Sequence, residues 1–77
     1  MTLDALRKAY AAKPFKPFVL RTGDGREFPV PHPEFLWIMP PGRTVAVADG
    51  AGGADLIDLL LVTSLHFTNG RKRSARN

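Results

Sequence analysis

Cysteine is absent from this chain. That excludes a disulfide framework, a thiolate nucleophile and a cysteine-ligated zinc site. His32 and His66 are the only histidines, and Ser64 and Ser74 the only serines. Long apolar runs are missing as well. Segments such as Leu59-Leu60-Leu61-Val62 fall far short of the ~20 residues that a membrane-crossing helix needs. The first residues carry neither the basic region nor the apolar stretch of a secretion signal. No glycine pattern matches a P-loop or a dinucleotide fingerprint, because Gly50-Ala51-Gly52-Gly53 follows an acid and precedes no basic helix. A soluble, cytoplasmic protein is the expectation.

What is present is unevenly distributed charge. Residues 1–26 hold Arg7, Lys8, Lys13, Lys16, Arg21 and Arg26 against Asp4 and Asp24. Residues 27–68 hold only Arg43 against Glu27, Glu34, Asp49, Asp55 and Asp58. Beyond Phe67 come Arg71, Lys72, Arg73 and Arg76 with no acid. A basic end on a nearly neutral body is suited to an anionic partner, although it also serves solubility alone.

The 77 residues suffice for one domain. A chain so short buries only ~60% of its unfolded surface, and without disulfide or metal the remaining support is oligomerisation. Thr2 is a helix cap with Asp4 in the first turn, and Leu3, Leu6 and Tyr10 make one apolar stripe. Pro14 ends this helix, and Pro14-Phe15-Lys16-Pro17-Phe18 is an extended connector. Phe18–Thr22 and Glu27–Val30 alternate around Gly23-Asp24-Gly25, a strong hairpin cue. Pro29 places the second strand at an edge or a bulge. Pro31 and Pro33 then break the chain around His32.

A further strand pair is expected at Leu36–Met39 and Thr44–Ala48, around Pro40-Pro41-Gly42-Arg43. Asp49–Gly53 is a loop, Ala54–Ile57 a strand, and Val62–Phe67 a last strand with Leu65 and Phe67 inward. Asp58–Leu61 either continues the strand before it or makes a 3₁₀ turn. Residues 1–68 therefore read as a single domain that is mainly β with one N-terminal α-helix. Residues 69–77 read as a basic tail without order of its own.

Two resemblances follow from these residues. Val19-Leu20-Arg21-Thr22-Gly23-Asp24-Gly25-Arg26-Glu27-Phe28 resembles the strand–turn–strand opening of Sm-like proteins, the family of the Hfq-type RNA chaperones. Leu56 to Leu65 is similar in length and hydrophobicity to that family's second motif. The resemblance implies a small five-stranded Sm-like (SH3-like) barrel, assembly through edge strands, and RNA binding. Leu59-Leu60-Leu61 stands where the Hfq type has a Tyr-Lys-His set, so no ligand residue carries over. The chain also resembles a group of short bacterial proteins sharing its Pro-Phe-x-Pro-Phe, Asp-Gly-Arg, His-Pro-Glu-Phe, Gly-Arg-Thr-Val and Ile-Asp-Leu-Leu-Leu-Val-Thr segments. That likeness implies no activity.

Catalytic constellations are thin. His32, Glu34 and His66 would make a two-histidine, one-carboxylate metal set, but capping or satisfying backbone groups at the strand break suits His32 better, and capping the turn before Phe35 suits Glu34 better. Asp55 and Asp58 flank an apolar strand, which favours cap or turn roles over acid–base work. Ser64 lies two residues from His66 with no acid to orient it. The expectation is a non-enzymatic protein with neither metal nor other cofactor. It binds nucleic acid, RNA more than DNA, through Arg7, Lys8, Lys13, Lys16, Arg71, Lys72, Arg73 and Arg76. Tyr10 and Trp37 are the candidate stacking aromatics. The apolar surplus of Leu36–Met39 and Leu59–Val62 points to a homo-oligomer. The competing expectation is a protein-interaction or structural module whose tail only aids solubility.

Overall fold

Thr2 begins the first element as the sequence implies. Its Oγ1 accepts the Ala5 amide at 3.2 Å, and α1 runs Leu3–Ala11. The structure, a computed structural model, describes residues 1–68. The expected lack of order in residues 69–77, and the roles given to Arg71, Lys72, Arg73 and Arg76, lie outside the described residues. Leu6 and Ala9 are buried and Leu3 and Tyr10 half-buried, so the apolar stripe is the docking face of the helix. An isolated helix of this length is marginal in water, so packing must hold it.

Six strands follow: β1 (Phe18–Thr22), β2 (Glu27–Val30), β3 (Leu36–Met39), β4 (Thr44–Ala48), β5 (Ala54–Asp58) and β6 (Val62–Phe67). They form two three-stranded antiparallel sheets in the orders β2-β1-β6 and β3-β4-β5. The mainly β class with one N-terminal helix is therefore what the chain adopts. The five strands expected from the resemblance become six, and among the described residues no ladder closes the two sheets into one barrel. The reason lies at Pro31-His32-Pro33. Two residues without an amide donor interrupt the pairing, and a 3₁₀ turn at Pro33–Phe35 starts the next strand in the other sheet.

A second corner performs the same transfer between β5 and β6. Asp58 accepts the Leu60 amide at 2.9 Å and caps a 3₁₀ turn at Leu59–Leu61. The cap reading of Asp58 and the turn alternative for this stretch are thereby met. His32 differs from its expected role. It occupies the cap position of the first turn without a side-chain cap bond, and its ring lies 5.9 Å from that of Phe35.

Alternation decides which side chains enter the core. Phe18 and Leu20 of β1, Phe28 and Val30 of β2 and Val62 of β6 face inward from one sheet. Leu36 of β3, Val45 and Val47 of β4 and Ile57 of β5 answer from the other. Leu6 and Ala9 of α1 and Leu59 of the second corner complete the cluster. Pro29 sits in β2, an edge strand, where a missing donor costs least.

The β1–β2 turn is held by its own side chains. Gly25 has φ +89° and donates its amide to the Thr22 carbonyl at 3.0 Å. The Thr22 hydroxyl donates to Asp24, and Arg26 Nε reaches the same carboxylate at 3.0 Å. Hydrogen bonding from Thr22 above all, with Arg26 assisting against partial desolvation, holds the Asp24 carboxyl below its ordinary value of 3.8. At the β3–β4 turn Gly42 has φ +112°, and a Cβ there would meet Leu3 Cδ2 at 2.6 Å.

Gly42→Ala should therefore destabilise the protein by about 1–3 kcal/mol, because a side chain at that φ is strained and Leu3 must move. Urea unfolding reads this as a lower midpoint at unchanged slope; an unchanged midpoint would refute it. The lowered Asp24 pKa contributes stability that is present above the ordinary carboxylate value and lost as pH falls through the folded value. Asp24→Asn should thus lower the melting temperature at neutral pH. Its curve should converge on wild type between about pH 5 and pH 2. An equal gap at both ends of that range would contradict the assignment.

Candidate nucleic-acid interface

Helix α1 covers the inner face of the β2-β1-β6 sheet incompletely. Ala5, Ala9 and Ala12 lie along one side of the helix, and Leu65 and Phe67 project from the inner face of β6 toward them. The alanines are too short to close the gap. A cleft of about 540 Å³ is left, lined also by Met1, with Lys8 and Lys16 as the only charged side chains in its lining among the described residues. That size is in the ~300–1,000 Å³ range of ligand-binding clefts. The terminal ammonium of Met1 donates to the Val62 carbonyl at 2.8 Å and ties the start of the helix to the start of β6.

Phe67 is the aromatic residue of this cleft. The register sets it opposite Phe18, whose ring it meets edge-on at 6.2 Å and 84°. Phe18 is buried, whereas Phe67 stays 44% exposed. Its inward orientation agrees with the alternation of β6; its exposure does not follow from that alternation.

The cations expected from the sequence are accessible. Arg7, Lys8, Lys13 and Lys16 are all exposed, and among the described residues none joins an ion pair. The two ion pairs that occur there are Arg21–Glu27 at 2.9 Å and Arg26–Asp24 at 3.0 Å, on the hairpin. The fold brings Lys8 and Lys16 to one cleft; Arg7 and Lys13 lie outside its lining. Immediately after Phe67, Thr68 donates its amide to the Pro17 carbonyl at 3.0 Å and its hydroxyl to the same oxygen at 3.3 Å. The chain thus leaves the described residues next to Lys16.

The two expected stacking aromatics are placed differently. Tyr10 is half-buried against the core, which removes much of its face. Trp37 is 59% exposed, but on the outer face of the β3-β4-β5 sheet, away from the cations named above. There it shares a cross-strand row with Ala46 and Leu56, and Leu56 is 68% exposed. Leu60 and Leu61 on the second corner are exposed as well.

The remaining candidates stay apart. His32 and Glu34 are exposed at the first corner, while His66 lies on β6 opposite Val19. Among the described residues no three His, Cys, Asp or Glu side chains converge on a metal position. Asp55 pairs across to Val47 and Asp58 is engaged as a cap. Asp49 accepts the Ala51 amide at 2.8 Å and the Gly53 amide at 3.0 Å. These bonds hold its carboxyl below the ordinary value and the residue in its loop. Among the described residues no helix is long and apolar enough to cross a membrane.

Phe67 is the residue of this cleft that sequence reasoning did not single out. The signal lay in the combination of Ala5, Ala9 and Ala12 with a phenylalanine at a strand end, which becomes visible only once helix and strand are paired. Comparison of the chain with protein-family models, with curated proteins and with solved structures gives no match in any of the three.

Proposed function

We propose that this is a non-enzymatic nucleic-acid-binding protein of Sm-like character, acting in the cytoplasm as a homo-oligomer. The observation that carries the reading is the anchoring of Thr68 on Pro17. Arg71, Lys72, Arg73 and Arg76 follow Thr68 within eight residues of sequence, and Lys8 and Lys16 line one cleft with Phe67. Clustered cations favour a polyanion through phosphate neutralisation and counterion release. The Sm-like resemblance favours RNA over DNA. It is supported by the element order and by the pairing of β1 with the last strand, while two corners take the place of a continuous bent strand.

Assembly is proposed through free strand edges. β5 is an edge strand, and Leu56, Leu60 and Leu61 expose apolar surface on it and just beyond it. The same exposed residues, with Trp37, favour a second reading in which the protein is an interaction module and binds no nucleic acid.

Two experiments separate these readings. Binding to a labelled RNA oligonucleotide should weaken steeply with salt. Lys8→Gln with Lys16→Gln should make the log–log salt slope shallower by roughly 1.4, because two phosphates of the single strand are no longer neutralised. Replacing the four basic residues after Phe67 with glutamine should flatten it further. Salt-independent binding, or none, would sink the first reading. Light scattering should give a mass above one chain, reduced by Leu56→Lys; a strict monomer at high micromolar concentration removes the assembly.

A further inference from the structure

The cleft between α1 and β6 has more chemistry than a charged surface needs. A surface that only tracks phosphates requires cations and no recess. Here two lysines line an otherwise apolar recess together with the part-exposed ring of Phe67. Resting on the nucleic-acid reading above, we propose that this cleft takes an unpaired base of a single strand against Phe67, with Lys8 and Lys16 holding the flanking phosphates.

Three features argue for this occupant. The lining supplied by Met1, Ala5, Ala9, Ala12 and Leu65 is apolar, which suits the face of a heterocycle better than a sugar or a phosphate. The ring of Phe67 is packed in a T-shaped pair with Phe18 on a residue of the β6 ladder, which lowers the side-chain entropy lost on stacking. Charge decides between a base on a polyanion and a simple amphipathic acid. Two lysines would satisfy a monoanion. Within eight residues of Thr68 the sequence also carries Arg71, Lys72, Arg73 and Arg76, which a monoanion leaves unused.

A duplex keeps its bases stacked on one another and offers phosphates alone to such a cleft. Stacking on an aromatic side chain is sequence-tolerant because every base has a π-face. The site therefore selects strandedness rather than sequence. Lysine suits that task, being a mobile point charge without the bidentate geometry of arginine.

The test compares a labelled mixed-sequence single-stranded RNA with the duplex of the same sequence, on the full chain at one salt concentration. Wild type should prefer the single strand. Phe67→Leu keeps the apolar contact with Phe18 but loses the π-face, and should weaken single-strand binding by roughly tenfold while leaving duplex binding unchanged. Ala5→Leu fills the recess from an exposed helical position and should have the same selective effect, which keeps the test decisive if Phe67→Leu folds poorly. Equal binding of both nucleic acids, or wild-type single-strand binding by both variants, overturns the base site and leaves the charged-surface reading standing. No binding of either nucleic acid overturns both. A change in oligomeric mass in place of a change in affinity would assign the cleft to a second copy and likewise overturn the proposal.

Discussion

Strand β1 pairs on one side with its sequence neighbour β2 and on the other with β6, the last strand described. The second pairing is the constraint on which the rest depends. It closes a loop containing nearly the whole domain, so its entropic cost falls on every element in between. It also brings Phe67 opposite Phe18, sets the far wall of the cleft beneath α1, and delivers Thr68 to Pro17. Loss of that ladder would leave α1 without a floor, since a helix of its length has little stability of its own.

The two 3₁₀ corners make this pairing compatible with a second sheet. Each lifts the chain from one sheet to the other in three residues, Pro33–Phe35 in one direction and Leu59–Leu61 in the reverse. Both are built from local chemistry. Prolines without donors serve the first, and an aspartate accepting the amide two residues on serves the second. The inward faces of the sheets then meet around Phe18, Leu20, Val30 and Val45, while β5 and β6 remain edges.

The functional reading grows from an imperfection in packing. Ala5, Ala9 and Ala12 line a cleft with Leu65 and Phe67 that stays unfilled on the β6 side. A core built for stability alone would place larger side chains there, because an unfilled lining forgoes dispersion attraction. Lys8 and Lys16 in its lining give the recess an electrostatic sign. By contrast, the exposed row of Trp37, Ala46 and Leu56 lies on the other sheet, whose edge strand carries Asp55 and Asp58.

Local physics alone determined a good deal of this protein. The Thr2 cap, the Asp24-Gly25 turn, the edge placement of Pro29, the Asp58 cap and the alternation within each strand were all legible, because each depends on residues a few positions apart. The exposure of Arg7, Lys8, Lys13 and Lys16 was legible for the same reason, since ionised side chains stay in water unless paired. Tertiary structure decided what involves residues distant in sequence. It divided the strands between two sheets, turned Trp37 outward, half-buried Tyr10, and left Phe67 part-exposed in a cleft that Lys8 and Lys16 also line. Alternation says which face a side chain is on, but only the element packed against that face, and where it stops, decides whether the side chain is covered.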